Sequence, residues 1–129
     1  MIKYGYKRNV AMGFEEADSA IREALKENGF GVLTEINVHD KLKEKLDVDF
    51  RRYRILGACN PLIAHQALSA ELEIGLLFPC NVVIWENDDK STTVAAIDAE
   101  QMLAITEQDN LEPLFSEVNN LFRKAVDSI

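Results

Sequence analysis

The sequence predicts an α+β fold: a single domain spanning residues 1–129, with a mainly antiparallel sheet, a β-hairpin and packed helices that include a long one at the C-terminus. Three observations carry this expectation. Short apolar or alternating runs bounded by polar clusters recur along the chain. Between Val82 and Ile97 two such runs flank a polar hexapeptide, Glu86-Asn87-Asp88-Asp89-Lys90-Ser91. The last twenty residues trace one continuous helical stripe, and strands and helices otherwise mix without the regular alternation that a doubly wound parallel sheet requires.

Taken in order, Tyr4 to Val10 mixes aromatic and β-branched residues and predicts a strand. Phe14, Ala17, Ile21, Ala24 and Leu25 then fall at helical spacing. Glu15 and Glu16 suit the positive end of that helix and Lys26 the negative end, and Gly29 can take the left-handed conformation that stops it. Val32 to Val38 alternates as a half-exposed strand, with Val32, Thr34, Ile36 and Val38 expected on one face. Asp40 to Leu46 reads as a short amphipathic helix, and Tyr53 to Cys59 as a third strand. Asn60 is a good N-cap and Pro61 fits the first helical position, so Leu62 to Ala70 should be helical, with Ile63, Ala64, Ala67 and Leu68 buried and His65 off the stripe. Leu76 to Pro79 is expected to be extended. Val82-Val83-Ile84-Trp85 has apolar residues pointing both ways, which suits a central strand covered on both faces, or on one face by another subunit. Thr92 to Ile97 completes the hairpin. From Asn110, a candidate cap, Leu111, Leu114, Phe115, Val118, Leu121, Phe122, Ala125, Val126 and Ile129 define the closing helix.

A chain of 129 residues buries roughly two-thirds of its unfolded surface, enough for one core. The formal charge of −8 repels phosphate backbones and anionic headgroups, so neither nucleic acid nor a membrane surface is expected as a partner. With no apolar leader or bilayer-length run, the expected location is cytoplasmic, where Cys59 and Cys80 stay reduced. His39 and His65 join the two cysteines in no metal-ligand spacing, so no metal site is expected. Phosphate-loop and nucleophile-elbow patterns are missing.

The chemically pointed feature is a mirrored pair of segments, Cys59-Asn60-Pro61 and Pro79-Cys80-Asn81. Cys59 stands where a strand hands over to a capped helix, whose positive terminus would stabilise a thiolate, and His65 is placed to act as a base. Packing accounts equally for both thiols. Arg51, Arg52 and Arg54 precede the segment. They are either solvated partners of acids such as Asp47 and Asp49 or, for Arg54 above all, a dock for a small anionic ligand. The leading expectation is a homodimeric small-ligand-binding module with a pocket where the two segments meet. Its site would comprise Arg54, Cys59, Asn60, Pro61, His65, Pro79, Cys80 and Asn81. The alternatives are a thiol-dependent enzyme or sulfur-handling redox protein using Cys59 or Cys80, with His65 as the third candidate catalytic residue, and a purely structural or assembly protein. No cofactor is indicated by any pattern.

The stretches Gly29-Phe30-Gly31-Val32-Leu33-Thr34-Glu35-Ile36, Arg54-Ile55-Leu56-Gly57-Ala58-Cys59-Asn60-Pro61 and Gly75-Leu76-Leu77-Phe78-Pro79-Cys80-Asn81-Val82-Val83 together resemble the domain-of-unknown-function 302 family. The resemblance implies a compact α+β domain, typically a homodimer, with no established activity or cofactor. Three positions depart from the pattern it implies: Asn37 replaces an acid, Arg52 a proline, and Ala99 follows Asp98 where an Asp-Pro pair continues.

Overall fold

The structure is a computed structural model and describes residues 2–106 and 109–129. Its elements run β1 (Gly5–Val10), α1 (Phe14–Glu27), β2 (Gly31–Asn37), α2 (Val38–Leu46), β3 (Tyr53–Cys59), α3 (Pro61–Ala70), β4 (Cys80–Glu86), β5 (Thr92–Ile97), α4 (Ala99–Thr106) and α5 (Glu112–Asp127). Two 3-10 segments, Leu72–Leu77 and Asp109–Leu111, lead into β4 and α5. The strands form one sheet in the order β1-β5-β4-β3-β2, every neighbouring pair antiparallel.

Helices α1 and α5 pack on each other and on one face of this sheet, with α4 against α5. Alternation does the sorting: Leu56, Ala58, Val82, Ile84, Val94 and Ala96 point toward the helices and are almost completely buried. They meet Phe14, Ile21 and Leu25 of α1 and Phe115, Phe122 and Val126 of α5. On the opposite face Tyr53, Ile55, Val83 and Trp85 are only half-buried, and the Tyr53 and Trp85 rings stack 5.7 Å apart. The central position expected for the Val82–Trp85 strand is therefore seen, with one face covered within the chain.

The first helix stops as its residues dictate. Gly29 sits at φ +86°, its N–H donates to the Lys26 carbonyl and the Phe30 N–H to the Leu25 carbonyl, the paired bonds of a Schellman ending. Phe30 then enters the core with its ring 4.5 Å from that of Phe122.

Three expectations need correction. The strict alternation from Val32 to Val38 fails because the β2–β3 register shifts between Val32 and Thr34. This bulge at Leu33 turns Thr34 and Ile36 to the face opposite Val32, and the strand ends at Asn37 because Val38 begins α2. The extended segment expected from Leu76 to Pro79 is not formed as such: Leu76 and Leu77 end the 3-10 turn, Phe78 is extended and Pro79 lies in a bend. Asn110 does not cap the closing helix; it lies in the 3-10 segment, and Leu111 precedes the first turn without a side-chain cap. Helix α4 has no counterpart in the predicted elements. It is set by Asp98, whose carboxylate accepts from the Glu100 N–H, and by Asn119 of α5, whose Oδ1 accepts from the Ala99 N–H at 2.6 Å.

Candidate functional site

Strand register brings the mirrored segments together. Ala58 lies opposite Cys80 and Gly57 opposite Asn81, so Cys59-Asn60 and Pro79-Cys80 border the same end of the β3–β4 ladder. The approach depends on Gly57. A methyl group there would overlap Thr34 Oγ1 and come within 2.7 Å of Pro79 Cγ, so only glycine lets the proline and the β2 bulge close on the strand. The Phe78–Pro79 peptide bond is cis.

Beneath this junction lies a cavity of about 260 Å³. Its floor is Phe30, Ala58 and Cys80, α5 contributes Phe115 and Val118, and α3 closes it with Ile63, Ala64 and Leu68. Leu33, Cys59, Asn60, Phe78 and Pro79 form the remaining wall. Helix α3 packs chiefly on the 3-10 turn that follows it, so it spans the cavity rather than filling it. Its start is fixed as its residues require: Asn60 Oδ1 accepts from the Ile63 N–H at 3.1 Å, with Pro61 in the first turn.

Of the eight residues expected at a ligand site, Cys59, Asn60, Pro79 and Cys80 border this cavity. Pro61 and His65 lie on the exposed side of α3. Asn81 belongs to the open sheet face, in a depression of about 340 Å³ with Tyr4, Val83 and Trp85. Arg54 points elsewhere. Its Nη1 lies 3.1 Å from Glu15 Oε1 and 3.0 Å from Asp18 Oδ1, its Nε donates to Asn37 Oδ1 at 2.6 Å, and the guanidinium lies 4.9 Å from the centre of the Phe14 ring.

The neighbouring arginines are also taken up by acids, though not by Asp47 and Asp49, which lie near Lys43. Arg52 donates to Glu15, and Arg51 lies 3.3 Å from Asp88. Because β3 faces the first turn of α1, Arg52 and Arg54 find their carboxylates on that helix, and the Arg54 hydrogen bond holds Glu15 below the usual carboxylate range. Asn37 accepts from Arg54 as a neutral residue at the position where the family pattern implies an acid.

Both thiols are poorly disposed to ionise. Burial pushes the Cys59 thiol up, opposite to the activation expected from the helix terminus, and burial together with the nearby Cys59 pushes Cys80 up to about 12. The helix end offers little help because Asn60 already occupies a free N–H of the first turn. No disulfide joins the two. His39 is engaged by the backbone: its Nδ1 accepts from the Tyr53 N–H at 3.0 Å. Among the described residues no three ligating side chains converge as a metal site would need, and no helix is long and apolar enough to cross a membrane.

Helical spacing predicts Ile63, Ala64, Phe115 and Val118 on buried stripes, but not that they converge with Phe30 and Ala58 on one cavity. Ala58 of β3 and Ala64 of α3 are small residues that both line the space.

Architecture and site define a two-layer α+β protein with one open sheet face and an apolar cavity at a strand–helix corner. The model of the family described as "Domain of unknown function DUF302" matches residues 6–129, and the chain belongs to that family. A solved structure similar to it is the uncharacterized conserved protein DUF302 from Bacillus stearothermophilus, 27% identical over 98% of each chain with a TM-score of 0.90. No curated relative matches the sequence.

Proposed function

We propose that this protein is a small-ligand-binding module whose ligand occupies the cavity under α3, between Cys59-Asn60 and Pro79-Cys80. One observation carries the reading: an apolar space of about 260 Å³ persists beside an otherwise close-packed core, at the junction of two rigid turns. On the scale where a 150 Å³ cavity takes benzene, this one takes about ten non-hydrogen atoms. The ligand is apolar rather than anionic, because Arg54 is committed to Glu15 and Asp18 away from the cavity wall. Native mass spectrometry of protein taken from its source tests this. A retained small molecule, lost from Ala64→Phe in which the space is filled, is the expected result; no retained mass and no thermal stabilisation by any apolar probe would refute it.

A homodimer is the second part of the reading, favoured by the open sheet face. Val83 and Trp85 remain half-exposed on a central strand, next to Tyr4 at 66% and Phe50 at 49% exposure. Sedimentation of Trp85→Glu, expected as monomer against a wild-type dimer, tests it; a monomeric wild type removes it. The thiol-enzyme alternative is the weaker one, since its nucleophile would have to overcome the upward shift of both thiols.

A further inference from the structure

Helix α3 is the least anchored wall of the cavity. Only Ile63 and Ala67 of its residues are buried, whereas α1 and α5 each bury six, so little apolar contact holds it to the core. Its outer side and that of the 3-10 segment Leu72–Leu77 are bare: Leu62 is 70%, Leu72 81% and Leu76 87% exposed.

The helix and the 3-10 segment form one body. They pack on each other, and a β-carbon on Gly75 would meet Leu68 Cδ2 at 3.8 Å. Backbone hydrogen bonds close within the pair: Ala64 N–H donates to the Asn60 carbonyl, Glu71 N–H to Ala67, Ile74 N–H to Glu71 and Phe78 N–H to Gly75. Among the described residues no side chain of Pro61–Ala70 forms a hydrogen bond or ion pair with another element. Ile63, Ala67 and Ile74 join the body to the core through apolar contact. Swinging it outward therefore breaks none of these backbone bonds and costs only buried apolar surface. The body is entered through the extended Asn60 and left through the extended Phe78, element-terminal residues at which a dihedral change rotates the whole.

Building on the cavity reading above, we propose that Pro61–Leu77 is a lid: α3 and the 3-10 segment move together about Asn60 and Phe78, opening the cavity to admit the ligand and closing on it. A ligand between Phe115 and the α3 residues Ile63, Ala64 and Leu68 supplies the contacts that α3 lacks, and so favours the closed state.

Hydrogen exchange on the full chain, read by mass spectrometry, tests the lid, with cumene as an apolar probe and calorimetry giving its Kd. Without probe, the hydrogen-bonded amides from Ala64 to Phe78 are expected to exchange as one group, at least about tenfold faster than those of α1 and α5. Free cumene at ten times its Kd is expected to slow that group about tenfold, because the open lid does not hold it. Ile74→Val trims the 3-10 contact to the core without touching the cavity wall, and is expected to speed exchange throughout α3 by about two- to tenfold. Exchange of α3 as slow as that of α1 and α5, an α3 indifferent to Ile74→Val, or an exchange rate unchanged by bound cumene overturns the lid, while the calorimetric binding leaves the cavity reading standing. If cumene does not bind, the cavity reading falls and the lid with it.

Discussion

Alkylation of the two thiols tests the choice between a binding module and a thiol-dependent enzyme. The thiolate is the attacking species, so the rate at a given pH follows its population. A cysteine at its usual 9.0 is about one-tenth ionised at pH 8, whereas Cys80 at about 12 is ionised to roughly one part in ten thousand, a thousandfold difference. Iodoacetamide labelling followed by intact mass and peptide mapping, in buffer and in guanidinium, reads this directly. Native Cys80 is expected to label at least about a thousandfold more slowly than in the unfolded chain, its rate rising tenfold per pH unit without a plateau below pH 11. Cys59, half-exposed and with its thiol also pushed up by burial, is expected to react first of the two and still more slowly than an unfolded cysteine. The same shift is a statement about stability. Above pH 9 the unfolded chain releases the Cys80 proton while the folded one keeps it, so stability is fully present below pH 9 and declines as pH rises toward about 12. The full loss is roughly 4 kcal/mol as an upper bound, and it should be missing from Cys80→Ala in the same guanidinium titrations. Native labelling of either thiol at the unfolded rate, with a plateau below pH 8, would refute the reasoning and restore the enzyme reading.

Other consequences follow from single contacts. Gly57→Ala is expected to lower unfolding free energy by about 1–3 kcal/mol through overlap with Thr34 and Pro79, and Thr34→Ala to recover part of that loss; equal stability of Gly57→Ala and wild type in urea would contradict the close approach. Arg54→Met removes the β3 cation beside Asp18, which is 7% exposed and keeps Arg22 of its own helix at 2.8 Å, and is expected to cost about 1–2 kcal/mol while the binding of an apolar probe such as cumene stays the same. Weaker cumene binding without destabilisation would place Arg54 in the ligand site after all. Asn119→Ala removes the acceptor for the Ala99 N–H and the donor to Asp98, with an expected loss of about 2 kcal/mol and faster amide exchange at the start of α4; unaltered exchange there would show that α4 is set by Asp98 alone.

Much of the fold was legible because it rests on local patterning. The hairpin from β4 to β5 was marked by its polar hexapeptide, α1 by its apolar spacing and Gly29, and α3 by the Asn60-Pro61 start, each a short-range signal with a local physical cause. Helix α4 was not legible, since its first N–H is satisfied by Asn119, twenty residues away. The bulge at Leu33 was equally hidden: alternation predicts a flat strand, and only pairing with β3 shows that one residue must be extruded.

The candidate site divides along the same line. The residues Cys59-Asn60-Pro61 and Pro79-Cys80-Asn81 marked two corners, and the sequence alone determined that each is rigid and where the helix cap must fall. The antiparallel pairing of β3 with β4 decided that the corners adjoin, with Gly57 permitting the contact. Tertiary structure also decided what chemistry they share. Burial under α3 raised both thiols out of reach of easy ionisation and packing against α1 turned Arg54 toward Glu15 and Asp18. A sequence records which groups can ionise; the dielectric and the partners that settle whether they do are supplied by segments distant along the chain.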